Sequence, residues 1–161
     1  MKYLKKIFVL VISVLLIAGC GKDKLPGNDK REEDKEAKKL QIVDESKDTR
    51  SYAVMINNNH QAWPHAGLQE SYLNYEIITE GGITRFLALF RDSIPEKIGS
   101  IRSSRIYFLD YAMENDAIYV HWGGSKEAYS DINSLKLDHI DGMDYEGKYF
   151  FRDKTLNRAY E

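Results

Sequence analysis

Two short stretches of this 161-residue chain carry the residue types that hold anions. "GSIRSSR" (99–105) brings Arg102, Ser103, Ser104 and Arg105 together, and "HWGGS" (121–125) brings His121, Gly123, Gly124 and Ser125. Guanidinium groups bind phosphate and carboxylate bidentately, and backbone N–H groups at a helix start attract the same anions. Each part also has a structural reading. Ser103, Ser104 and Ser125 are ordinary helix N-caps, Gly123 and Gly124 suit a tight turn, and a histidine ending a buried strand is usually a satisfied core residue.

Arg85 is a third candidate cation. It shares a strand face with Ile83, Leu87 and Leu89, so it either snorkels or is buried with a partner. With Gly81-Gly82 read as a two-residue hairpin, Arg85 stands opposite Ile78 and diagonal to Glu76 and Glu80. That placement allows a cross-strand ion pair as readily as a third cation for the same ligand. Glu80, Asp110 and Asp153 are candidate acid/base or metal-binding carboxylates, as glycosyl or phosphoryl transfer would require. No HExxH spacing, GxSxG elbow, phosphate-binding P-loop or dinucleotide fingerprint occurs, and one cysteine excludes a thiolate metal cluster. No metal and no cofactor is expected.

These residues lie in elements of recognisable period. "YAVMINN" (52–58), "LNYEIITE" (73–80), "ITRFLALF" (83–90), "EKIGSI" (96–101), "AIYVHW" (117–122) and "KYFFRD" (148–153) read as strands. "RIYFLDYAMEN" (105–115) and "SKEAYSDINSL" (125–135) carry apolar residues at helical spacing. The expected class is α/β: a mixed sheet in which a β-hairpin is followed by a βαβα unit running from Glu96 to Leu135. The two strands of that unit should be parallel neighbours. Ligands of open α/β sheets bind outside the carboxyl ends of strands, so the two polar turns should then converge on one rim.

The N-terminal third is of another kind. Lys2, Lys5 and Lys6 precede the apolar run Ile7–Ala18, which is shorter than the roughly 20 residues of a spanning helix and reads as a signal peptide over 1–19. "IAGC" (17–20) resembles a lipobox, making Cys20, the only cysteine, a lipidation site that bears acyl chains such as palmitate. Acyl chains anchor at about 0.8 kcal/mol per buried methylene, so the expected location is the extracytoplasmic face of the cell membrane, with Cys20 as the membrane contact. Residues 20–49 are nearly all charged or polar and are expected to form a flexible tether. The folded domain is then 50–161. A formal net charge of −2 argues against general nucleic-acid binding.

"YAVMINN", "YEIITEGGITRFLALF", "EKIGSIRSSRIYFLD", "DAIYVHWGGS" and "FFRD", taken in order, resemble the YerB-like family of bacterial proteins, classed as lipoproteins and of unknown function. The resemblance covers about Arg50 to Asp153. It implies an extracytoplasmic lipoprotein and marks, among others, Asn58, Glu80, Arg85, Arg102, Arg105, Asp110, His121, Gly123, Gly124, Ser125, Arg152 and Asp153. Asn57 and Trp63 depart from the family pattern, which carries an acid and an arginine there. Relatives continue beyond Glu161, so truncation of the domain on its C-terminal side is expected. The functional expectation is an envelope protein that binds an anionic glycan or an acidic protein partner. An envelope enzyme of phosphoryl or glycosyl transfer and a purely structural scaffold are the alternatives.

Overall fold

The computed structural model describes residues 41–155. The signal peptide, Cys20 and most of the tether lie outside the described residues. The last part of the expected tether, residues 41–49, is largely exposed loop, yet it is tied to the fold. The Asp44 amide donates to Asp92 at 2.6 Å, and Arg91 donates to the Lys47 carbonyl at 2.9 Å.

Five strands form one mixed sheet: β1 (Tyr52–Asn57), β2 (Leu73–Ile78), β3 (Thr84–Phe90), β4 (Ile118–His121) and β5 (His139–Asp141). Their spatial order is β2-β3-β1-β4-β5. β3 is antiparallel to both β2 and β1, whereas β1, β4 and β5 run parallel. The central strand β1 is buried at every position after Tyr52, which explains its near-continuous apolar run.

Among the described residues two α-helices pack on the sheet: α1 (Ile106–Glu114), after the irregular stretch 91–105, and α2 (Lys126–Leu135), after β4. α1 buries Phe108, Leu109 and Ala112 against Ala53, Met55, Leu87, Leu89 and Tyr119 of the sheet. α2 adds Ile132 to that core. Its Ser125 cap accepts from the Ala128 amide at 3.1 Å, and Lys136, left-handed at φ 54°, closes its other end. On the opposite face of the sheet (Val54, Ile56, Ala88, Phe90, Val120) neither α1 nor α2 packs. That face is covered by Phe150 and by partly buried neighbours such as Ile98, Ile101 and Trp122.

The α/β class and the mixed sheet are as the periodicity predicts, but several local expectations are corrected. Residues 96–101 form no strand; they contribute only single bridges at Gly99 and Ile101. The preceding strand that pairs in parallel with β4 is therefore β1, more than sixty residues earlier, and the βαβα unit draws its first strand from there. Pairing with β1 offers a long apolar strand, whereas 96–101 alternates with Lys97, Gly99 and Ser100 and has little to bury. "KYFFRD" is an irregular segment with one bridge, Glu146 to Phe150, while the three-residue β5 replaces it as the last strand.

The hairpin loop is five residues long rather than two. Ile78 and Thr84 are its last pair, and Glu80–Gly82 make a helical turn closed by the Thr79 amide on the Ile83 carbonyl at 2.7 Å. Gly81 and Gly82 both take φ 73° there. The longer loop shifts the register, so Arg85 faces Ile77 rather than Ile78.

Candidate functional site

The parallel strands β1 and β4 pair from Tyr52–Ile118 to Val54–Val120 and then part. Residues 100–104 fill the fork. The Arg102 amide donates to the Met55 carbonyl at 2.9 Å, and the Trp122 amide donates to the Arg102 carbonyl at 3.1 Å. One step on, Ser104 bridges Gly124, with the Ser104 amide on the Gly123 carbonyl at 2.9 Å. The arginine-bearing and glycine-bearing turns thus lie side by side at the carboxyl ends of parallel strands, where strand connectivity changes direction. Adjacency comes from backbone bonding in the fork and needs no strand at 96–101.

An open cavity of about 360 Å³ lies at this fork, lined by Arg102, Ser103, Gly123 and Gly124 together with Ile101, Trp122, Met143 and Arg152. Gly123 has φ 72°, a conformation that β-carbon-bearing residues adopt at a cost. A Cβ on Gly124 would meet Ser104 Cβ and the Tyr129 ring at 3.3 Å. The Arg152 guanidinium lies over the Trp122 ring, 5.0 Å from its centroid, and its Nε donates to Glu146 at 3.2 Å. Its terminal nitrogens make no hydrogen bond to the described residues. Arg152 was marked by the family resemblance, but nothing in its spacing linked it to Arg102.

The other expected site residues stand behind this cavity rather than in it. Arg85 is half-buried and donates to the Ser103 carbonyl at 2.5 Å. Burial, and then the Arg105 cation, lower its pKa; Glu80 opposes and Arg102 adds to the lowering. Arg105 donates to Glu80 at 2.5 Å and to the Ser104 carbonyl at 2.7 Å. Ser104 is fully buried and accepts from the Tyr119 hydroxyl at 2.9 Å, and burial, the larger influence, raises the Tyr119 pKa. Ser125 is the α2 cap. These four residues brace the turn and do not line the cavity.

His121 is also structural in its contacts. It is fully buried, stacked on Tyr119 and His139, and 3.1 Å from His139 Nδ1 through its own Nε2. Its Nδ1 lies 2.8 Å from the Gly123 carbonyl. A carbonyl only accepts, so neutral His121 carries its proton on Nδ1 and Nε2 accepts from His139. Burial lowers its pKa, outweighing the Gly123 carbonyl and Asp141.

Asp141 was missed by the sequence reading. It ends β5 with 5% exposure and accepts from the Gly123 amide at 2.8 Å, the Met143 amide at 3.0 Å and the Tyr129 hydroxyl at 2.5 Å. Burial pushes its carboxyl upward, but these three hydrogen bonds and His121 hold it below the usual range. Burial and the Asp141 contact push Tyr129 up to about 12. A short strand ending in Asp, "HID", carries too little period to be read as a site element.

The three candidate carboxylates do not assemble. Glu80 pairs with Arg105, whose hydrogen bond lowers its pKa. Asp153 pairs with Lys97 at 2.5 Å, and that contact with Thr155 brings it down to about 2. Asp110 is exposed on α1 and makes no hydrogen bond or ion pair among the described residues. A general acid needs a raised pKa, and Glu80 and Asp153 are shifted the other way. Among the described residues no group of three or more His, Cys, Asp or Glu side chains could hold a metal, and no helix is long and apolar enough to cross a membrane.

A five-stranded mixed sheet packed on one face by two helices is an α/β architecture. The chain belongs to the family described as "Protein of unknown function (DUF3048) N-terminal domain", whose pattern matches residues 39–161. It is 40% identical over 103 residues to "Putative lipoprotein YerB" of Bacillus subtilis (strain 168), an alignment covering 64% of this chain and 31% of that protein. The crystal structure of YerB protein from Bacillus subtilis superimposes with a TM-score of 0.66 at 37% identity, covering 68% of this chain and 38% of the other. The chain thus spans about a third of the length of the relative it matches.

Proposed function

We propose that this chain is a lipid-anchored extracytoplasmic protein, held at the membrane through Cys20, that binds an anionic cell-envelope ligand in the Arg102–Arg152 cavity. The observation that carries the reading is the pair of guanidinium residues lining one open cavity beside Ser103 and the Gly123–Gly124 turn. Arginine suits phosphate and carboxylate oxygens, and the Ser103 hydroxyl stands beside the pair. The lipobox at Cys20 and the relative's name support the anchor. The ionised, cation-paired states of Glu80 and Asp153 favour binding over acid-base turnover.

Calorimetric titration with inorganic phosphate at low salt tests the site. Charge-assisted hydrogen bonds contribute about 1.5–3 kcal/mol each, so Arg152→Gln should weaken binding by about tenfold or more. Rising ionic strength should weaken it further. Arg85→Met should lower the melting temperature while leaving phosphate affinity unchanged, because Arg85 spends its guanidinium on the Ser103 carbonyl. Unchanged affinity in the Arg102→Gln/Arg152→Gln double variant would overturn the assignment.

A further inference from the structure

The cationic cavity adjoins a second one of about 230 Å³, and Ile101 and Trp122 line both. The second cavity is walled by aromatic side chains: Trp122, Phe150, Tyr149 and Phe151. Tyr149 and Phe151 are 68% and 62% exposed, so large ring faces stand open to solvent beside it. Such exposed aromatic surface marks an interaction site.

The polar groups in this cavity narrow the occupant. Lys97 Nζ pairs with Asp153 and lies 5.6 Å from the Phe151 ring centroid. Ser100 Oγ and Trp122 Nε1 are buried and lack any hydrogen-bond partner, and both residues line this cavity. Buried donors left unpaired cost free energy, and a ligand hydroxyl within reach of either would satisfy it. An acyl chain could do nothing for them and would lie against an ion pair. A sugar ring meets both demands, because its electropositive C–H face suits an aromatic π face while its hydroxyls pair with Ser100, Trp122 and Lys97.

We propose that the second cavity seats a sugar ring whose anionic substituent occupies the Arg102–Arg152 cavity, so that the ligand is an anion-substituted saccharide. The inference rests on the anion-binding reading above and extends it across the shared Trp122 wall.

Four probes test it on the whole chain: inorganic phosphate, glucose, glucose 6-phosphate and hexyl phosphate, followed by calorimetry and by the indole N–H signal of Trp122. Glucose 6-phosphate should bind at least about tenfold tighter than inorganic phosphate, and hexyl phosphate should show no such gain. Tyr149→Ala and Phe151→Ala, both at exposed positions, should each reduce the gain and leave inorganic phosphate binding intact. The saccharide inference is overturned if hexyl phosphate gains as much as the sugar phosphate, or if the gain survives in both aromatic variants. Should inorganic phosphate fail to bind while glucose still shifts the Trp122 signal, the anion reading fails and the sugar pocket stands. No response to any probe sinks both.

Discussion

Removing the Asp141 carboxylate should loosen the rim of the cationic cavity and destabilise the fold by an amount that the geometry sets. Three donors converge on it: the Gly123 amide, the Met143 amide and the Tyr129 hydroxyl. An orphaned buried donor costs about 1–3 kcal/mol, and Gly123, Met143 and Tyr129 are all at least partly exposed, which favours the lower end. Asp141→Ala should therefore cost about 3 kcal/mol. Asp141→Asn keeps an oxygen for the two amides, and Tyr129 can reverse to accept from the new NH₂ group. Only the charge assistance is lost, and the cost should fall to about 1 kcal/mol.

Urea unfolding at pH 7 separates the two variants, and repeating it in acid tests the charge. The folded carboxyl titrates below 3.8, so the unfolded chain takes up its proton first. The stabilisation is complete above that pH and is lost as pH falls through the folded value. Asp141→Asn should lack this acid-dependent loss. A cost under about 1 kcal/mol for Asp141→Ala, or equal costs for both variants, would refute the view that Asp141 organises the turn.

Two further perturbations address the surroundings. Burial depresses His121 below its ordinary value of 6.5, so the unfolded state protonates first on acidification and stability should begin to fall below about pH 6.5. His121→Gln should remove that phase of a pH–stability curve and leave the later carboxylate phase. Gly142→Ala would place a Cβ 2.6 Å from the Phe150 ring and 3.0 Å from Trp122, so thermal denaturation should show a loss of about 1–3 kcal/mol.

The structure explains which parts of this molecule could be read in advance. Period-2 and period-3.6 patterns located β1 to β4 and both helices to within two residues at each end, because each element buries a face and the face dictates the spacing. "EKIGSI" and "KYFFRD" carry strand-like residues, yet neither joins the sheet as a strand. Strand formation is a property of the pair, and β1 had already taken the place beside β4. The five-residue loop was hidden by Gly81-Gly82, a dipeptide that serves a tight hairpin and a helical turn equally well.

The order of residue types along the chain determined β1 to β4, both helices, the α/β class and the two polar turns, since local propensity and amphipathic spacing act over a few positions. Tertiary structure alone decided which of those polar residues meet. Arg152 lines one cavity with Arg102 from fifty positions away, Asp141 reaches Gly123 from another strand, and Arg85 and Arg105 turn inward to carbonyls and Glu80. Long-range juxtaposition follows from burying both faces of β1 and parting it from β4, a cooperative outcome that no short window of sequence encodes.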